Sequence, residues 1–199
     1  FTLKIQKERT INSTRGKIYD CNGVLLAYNE LAYNVTIEDI YESGSDKNRN
    51  INETLLKVIA IIEKNNDKII NDFSIILDED GEFAFTVEGT QLKRFLADIY
   101  GRSKISQLKY EEETATPDMV MEYLCGSGKY GIGYSPDPEN PRDSFIVFEG
   151  YTKEEQLKLV TIRYAMSLNS YQKYIPTVIA TDVNEKTVAS IMENSTEFL

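Results

Sequence analysis

The chain contains no histidine and no tryptophan, and only two cysteines and five prolines in 199 residues. Without histidine it has no Ser-His or Cys-His nucleophile pair, no histidine general base and no histidine-bearing zinc site, which excludes many familiar hydrolases. Cys21 and Cys125 form neither a disulfide framework nor a metal-ligand set, and their separation carries no signal. No apolar run reaches the roughly eighteen residues that a membrane span needs. The longest cluster, Val58-Ile59-Ala60-Ile61-Ile62, suits a core helix. A basic stripe is also missing. With a formal net charge of −10, a phosphate-tracking nucleic-acid binder is not indicated.

What remains is an ordinary globular composition, 41% hydrophobic and 27% charged, long enough to bury a core as one domain or two lobes. Lys17–Tyr19 and Val24–Tyr28 flank Asp20-Cys21-Asn22-Gly23, and Asn-Gly favours the positive φ values of tight hairpin turns. A third strand is predicted over 32–38, where Tyr33, Val35 and Ile37 alternate with polar neighbours. Residues 42–50 read as a polar linker or loop. A helix over 52–65 presents Leu55, Ile59 and Ile62, broadened by Leu56 and Val58. Strands at 74–77 and 82–88 surround the Asp78–Gly81 turn, and a helix at 90–100 turns Leu92, Phe95, Leu96 and Ile99 inward.

Thr116-Pro117-Asp118 is a helix start: Thr caps, Pro takes the first helical position and Asp complements the dipole. That helix should stop near Cys125 with Gly126 as a left-handed cap. Residues 126–133 and 135–143 read as loops. Thr152 and Glu155 form a capping box opening a helix to about 169. A strand at 175–181 and a helix at 184–194, with Val188, Ile191 and Met192 facing in, complete the chain. The fold class is α+β.

Several motifs resemble chemistry and fail on spacing. Gly126-Ser127-Gly128-Lys129 is followed by Tyr130 where a phosphate loop needs Ser or Thr, and its first Gly would fall at Tyr123. Asp78-Glu79-Asp80-Gly81 reaches Gly at the fourth position, not the sixth of a calcium loop. Glu111–Glu113 and Glu154-Glu155 show none of the raised pKa and fixed separation of a glycosidase dyad. Ser170-Tyr171-Gln172-Lys173 matches S-x-x-K, and Ser167-Leu168-Asn169 matches S-x-N. They are contiguous, in reversed order and without K-T-G, and about one S-x-x-K is expected by chance. Sequons stand at Asn12, Asn34, Asn52 and Asn194. No catalytic, cofactor-binding or metal-ligating residue is assigned, and no cofactor.

The stretch "RGKIYDCNGVLLAYN" closely resembles the R-G-x-I-x-D-R-N-G-x-x-L-A motif of class B penicillin-binding proteins, at the start of their extracytoplasmic, non-catalytic domain. Arg15, Gly16, Ile18, Asp20, Asn22, Gly23, Leu26 and Ala27 fall in place. The upstream Arg-Thr-Ile-Asn-Ser-Thr also looks like that family. Residues 151–194 resemble the helix–strand–helix before the transpeptidase domain in the elongation-type, PBP2-like branch. Cys21 departs from the family's usual Arg, which tends to join a charge network; Glu193 remains available to pair with Arg15.

The resemblance implies a pedestal, historically named the dimerisation domain, with no enzymatic activity of its own. Its stem would comprise 1–44 and 151–199 and its mixed α/β head lobe 45–150. The chain lacks an initiator Met and stops abruptly after Glu-Phe-Leu, so we read it as part of a longer protein. A membrane-anchor helix is expected before Phe1 and a serine D,D-transpeptidase domain after Leu199, on the extracytoplasmic face of the bacterial membrane. Expected partners are its own transpeptidase domain, a polymerase of the shape-elongation-division-sporulation (SEDS) family, an MreC-like scaffold and a second copy in a weak homodimer. Strand pairing between 17–37 and 175–181 would make the stem. The alternatives are an independent extracytoplasmic glycan- or protein-binding module and a small hydrolase.

Overall fold

The computed structural model describes residues 16–28, 32–41, 44–136, 145–147, 150–168 and 175–197. It is α+β, with six α-helices and four two-stranded antiparallel sheets among those residues. Two compact units divide the chain, Phe1–Ala32 and Tyr33–Leu199.

In the first unit, β1 (Ile18–Tyr19) and β2 (Leu25–Ala27) form the expected hairpin. Its turn differs from expectation. Gly23 has φ +81°, whereas Asn22 is not left-handed. Gly23 N–H donates to Asp20 O (3.1 Å) and Asp20 N–H to Val24 O (2.9 Å). This is a three-residue loop, a tight turn through Cys21 and Asn22 closed by a left-handed glycine.

The second unit begins with β3 (Tyr33–Ile37), which pairs antiparallel with β8 (Thr177–Val183), from Tyr33↔Val183 to Ile37↔Thr177. This is the pairing expected between the early and late segments, with β8 two residues further along than predicted. Two register shifts interrupt it. Ile70 N–H donates to Ile179 O (2.7 Å), attaching the 67–70 segment to β8.

Helix α1 (Lys47–Lys64) begins five residues before the expected start, taking in residues 47–50 of the predicted linker. Tertiary anchoring explains the extension. Lys47 donates to Asp39 (2.6 Å) and Asn48 is bonded on two sides, so polar residues with little helical periodicity are fixed from outside. The predicted face is buried: Leu55 and Ile62 are fully enclosed, with Ile51, Val58 and Ile59 beside them.

Strands β4 (Ile75–Leu77) and β5 (Phe83–Phe85) form a hairpin, followed by α2 (Gly89–Ile99), the short α3 (Tyr110–Glu113) and α4 (Pro117–Cys125). Thr116 caps α4 as predicted, accepting from Met119 N–H (3.3 Å). Gly126 does not end it in the left-handed region, because its φ is −54°. The left-handed residues come later, at Gly131 and Gly133. Strand β6 (Tyr134–Pro136), which overlaps the start of the 135–143 stretch read as loop, pairs with β7 (Phe145–Val147) just beyond it.

Helix α5 (Lys153–Leu168) is the centre of the unit. Its capping box is present: Thr152 N–H donates to Glu155 Oε2 (2.9 Å) and Glu155 N–H to Thr152 Oγ1 (3.2 Å). Residues 159–163 are buried in one unbroken run, the mark of a helix covered on all sides. It packs on α1, α4, β4 and β8. Tyr164, Phe73, Phe95 and Phe85 join in edge-on and tilted ring contacts with centroids 5.3–6.2 Å apart.

Helix α6 (Glu185–Glu193) is capped by Asn184, whose Oδ1 accepts from Thr187 N–H (3.0 Å). Val188 and Ile191 pack inward, but Met192 is 71% exposed, against expectation. The fully buried residue is Thr187, whose hydroxyl donates to Asp67 Oδ2 (2.5 Å). That polar anchor sets the helix's rotation and swings Met192 out.

Candidate functional site

The motif residues of the hairpin form a surface ribbon. Asp20 Oδ1 accepts from Asn22 N–H (2.9 Å) and Val24 N–H (2.7 Å), so the carboxylate builds the turn. Ile18 and Leu26 are 59% and 64% exposed; Gly16, Asn22 and Ala27 are exposed as well. Arg15 lies outside the described residues, and Glu193 is exposed at the end of α6. Cys21 is a free, exposed thiol. Cys125 is free and buried, and desolvation pushes its pKa up to about 12, so it stays a thiol.

Two carboxylates of the acidic pairs and their neighbourhood are held below the usual range. The Arg102 guanidinium grips Glu112 through Nε (3.0 Å) and Nη2 (2.5 Å). This bond, with a second from Lys109 N–H, lowers the Glu112 pKa to about 2. Lys158 likewise lowers Glu154. An acid catalyst needs the opposite shift. Asp78 and Gly81 make a hairpin turn, with Asp78 Oδ1 accepting from Asp80 and Glu82 N–H (3.0 and 2.9 Å). No group of three potential metal-ligating side chains occurs among the described residues. Ser170–Lys173 lies outside them. Within the same limit, no helix is long and apolar enough to cross a membrane.

Sequence reasoning missed two features. The first is a buried polar centre. Arg163, 8% exposed, donates to Asn48 Oδ1 (2.5 Å) and lies over the Tyr130 ring at 5.3 Å. Burial pulls its pKa down, opposed by Tyr130 and Asp39. Asn52 donates to Tyr130 O (3.0 Å) and Gly131 O (3.3 Å), and Asn48 to Lys129 O (3.1 Å). Asp39 Oδ1, Asn52 Oδ1 and Arg163 Nη1 are buried without a hydrogen-bond partner. The available signal was Asn52 on the apolar side of α1; only its sequon was noticed, and at 1% exposure it cannot carry a glycan.

The second is a groove of about 800 Å³ lined by Tyr100, Arg102, Met119, Tyr123, Tyr134 and the 126–129 loop. The Tyr100 and Tyr123 rings stand 4.8 Å apart, and Lys129 Nζ lies 4.8 Å above Tyr123. The failed phosphate loop therefore forms one wall of it.

None of these features is a constellation that makes or breaks a bond. A search of curated proteins finds no match. The model of the penicillin-binding protein dimerisation domain matches residues 10–199, nearly the whole chain. This chain belongs to the penicillin-binding protein dimerisation domain family, a non-catalytic domain of those proteins.

Proposed function

We propose that the chain is the extracytoplasmic pedestal of a PBP2-like peptidoglycan transpeptidase, holding the catalytic domain in position and contacting elongation partners. The observation that carries this reading is the β3–β8 pair, which brings an early and a late segment of the chain side by side. In this reading 1–44 and 151–199 are the stem and 45–150 the head. Within the second unit, the packing of α5 on α1 and α4 supports a firm link between the late stem segment and the head. An anchor helix precedes the chain at the bacterial membrane and a serine D,D-transpeptidase domain follows it. In the first unit Asp20 shapes the hairpin turn through its carboxylate.

The test uses the purified chain beside its full-length parent. A fluorescent penicillin should label the parent and leave the chain blank, and immobilised chain should bind a SEDS polymerase or an MreC-like scaffold. Labelling of the chain would overturn the non-catalytic reading, and failure to bind either partner would overturn the interaction role.

A further inference from the structure

The polar centre around Arg163 offers one donor and two acceptors that no protein group takes up. From them we infer an internal water site, in which a buried water accepts from Arg163 Nη1 and donates to the Oδ1 atoms of Asn52 and Asp39.

All three atoms are buried, and none has a hydrogen-bond partner among the described residues. They belong to one cluster. Arg163 donates from Nη2 to Asn48 Oδ1 (2.5 Å), and Asn52 lies one helical turn beyond Asn48 on the same face of α1. Asp39 is tied to Lys47, the neighbour of Asn48, and its charge acts on Arg163. The Asn52 amide has no freedom to turn round. Its Nδ2 donates to the carbonyls of Tyr130 (3.0 Å) and Gly131 (3.3 Å), which leaves Oδ1 as the acceptor. Asp39 uses Oδ2 on Lys47 (2.6 Å) and keeps Oδ1 free.

These requirements select the ligand. A halide would serve Nη1 but would press its charge against two oxygens, one of them a carboxylate. Sodium or ammonium would suit the oxygens and be repelled by the guanidinium. An apolar contact would leave all three atoms desolvated and unbonded, which folded proteins avoid. Water has two donors and an acceptor, and a buried water makes about three hydrogen bonds. It also relays the Arg163 charge, bonded directly only to neutral Asn48, to the carboxylate of Asp39. In the division proposed above, Asp39 and Arg163 fall in the stem and Asn48 and Asn52 in the head. The water then bonds across that boundary; this placement rests on the proposed division, and the water itself does not.

The experiment is a crystal structure of the chain at a resolution that shows ordered water, beside Arg163→Met and a bromide soak. The expected density is a water within hydrogen-bond distance of Arg163 Nη1 and of at least one of the two Oδ1 atoms. Arg163→Met should lose it, and oxygen-17 relaxation dispersion in solution should count fewer long-lived waters in that variant than in the wild type. The wild-type density decides alone if the variant does not fold. No water at Nη1, a water there that reaches neither oxygen, a direct Arg163–Asp39 ion pair, or an unchanged count in the folded variant would overturn the site. Bromide bound at Nη1 in place of water would overturn the ligand class.

Discussion

Asp20 and Asp78 hold the same position in two hairpins far apart in the chain. Each Oδ1 accepts from the N–H groups two and four residues on, and each backbone carbonyl accepts from a left-handed glycine three residues on. Asp-x-Asx-Gly is thus one turn used twice, closed by Gly23 at φ +81° and Gly81 at φ +77°.

Open space surrounds the Cβ position of both glycines, so Gly23→Val and Gly81→Val act through backbone conformation alone. Each should destabilise its hairpin by on the order of 1 kcal/mol or more. Hydrogen exchange at residues 18–27 and 75–85 should accelerate in the matching variant only. An unchanged rate at residues 18–27 in Gly23→Val would count against the turn.

The centre at Arg163 separates two substitutions. Arg163→Met removes a buried charge whose Nη1 is already unpaired, so lost bonding and relieved desolvation offset each other, for a net loss of about 1 kcal/mol. Asn48→Ala leaves the whole guanidinium buried without its acceptor and should cost about 3 kcal/mol. Urea midpoints that rank Asn48→Ala as the milder change would refute this account.

Acid should weaken the fold partly through Glu112. Its folded pKa of about 2 lies below the unfolded value of about 4.3, so the stabilisation is full above the unfolded value and fades as pH falls through the folded one. Glu112→Gln should flatten the pH dependence of the urea midpoint between about pH 5 and pH 2. An identical slope in the variant would show that the Arg102 grip contributes nothing in solution.

Thiol chemistry should distinguish the two cysteines. In mildly alkaline buffer the exposed Cys21 should react promptly with Ellman's reagent while the buried Cys125 reacts only after denaturation. Two fast thiols in the folded chain would contradict the packing of α4.

Local signals in the sequence were reliable where the chain's own chemistry decides structure. Thr116 and Thr152 start helices, Leu55, Ile59 and Ile62 face the core, and Asp20–Gly23 turns a hairpin. Signals failed where distant residues decide. Residues 47–50 are helical because Asp39 and Arg163 hold them, and Met192 faces solvent because Thr187 is tied to Asp67. The groove draws on residues from 100 to 134, and no short motif could reveal it.

The β3–β8 pair also has a mechanical direction. Tyr33 and Val183 face each other at the end where the strands join the segments before 33 and after 183. Tension pulling those segments apart loads this ladder as a zipper, one rung at a time, and not in shear across all its bonds together. Helix α6 packs on β3, and Asn184 and Thr187 fasten it to Asp67, so it is the catch that must slip first. Under load this part of the molecule would peel open from one end while the buried α5 layer stayed intact.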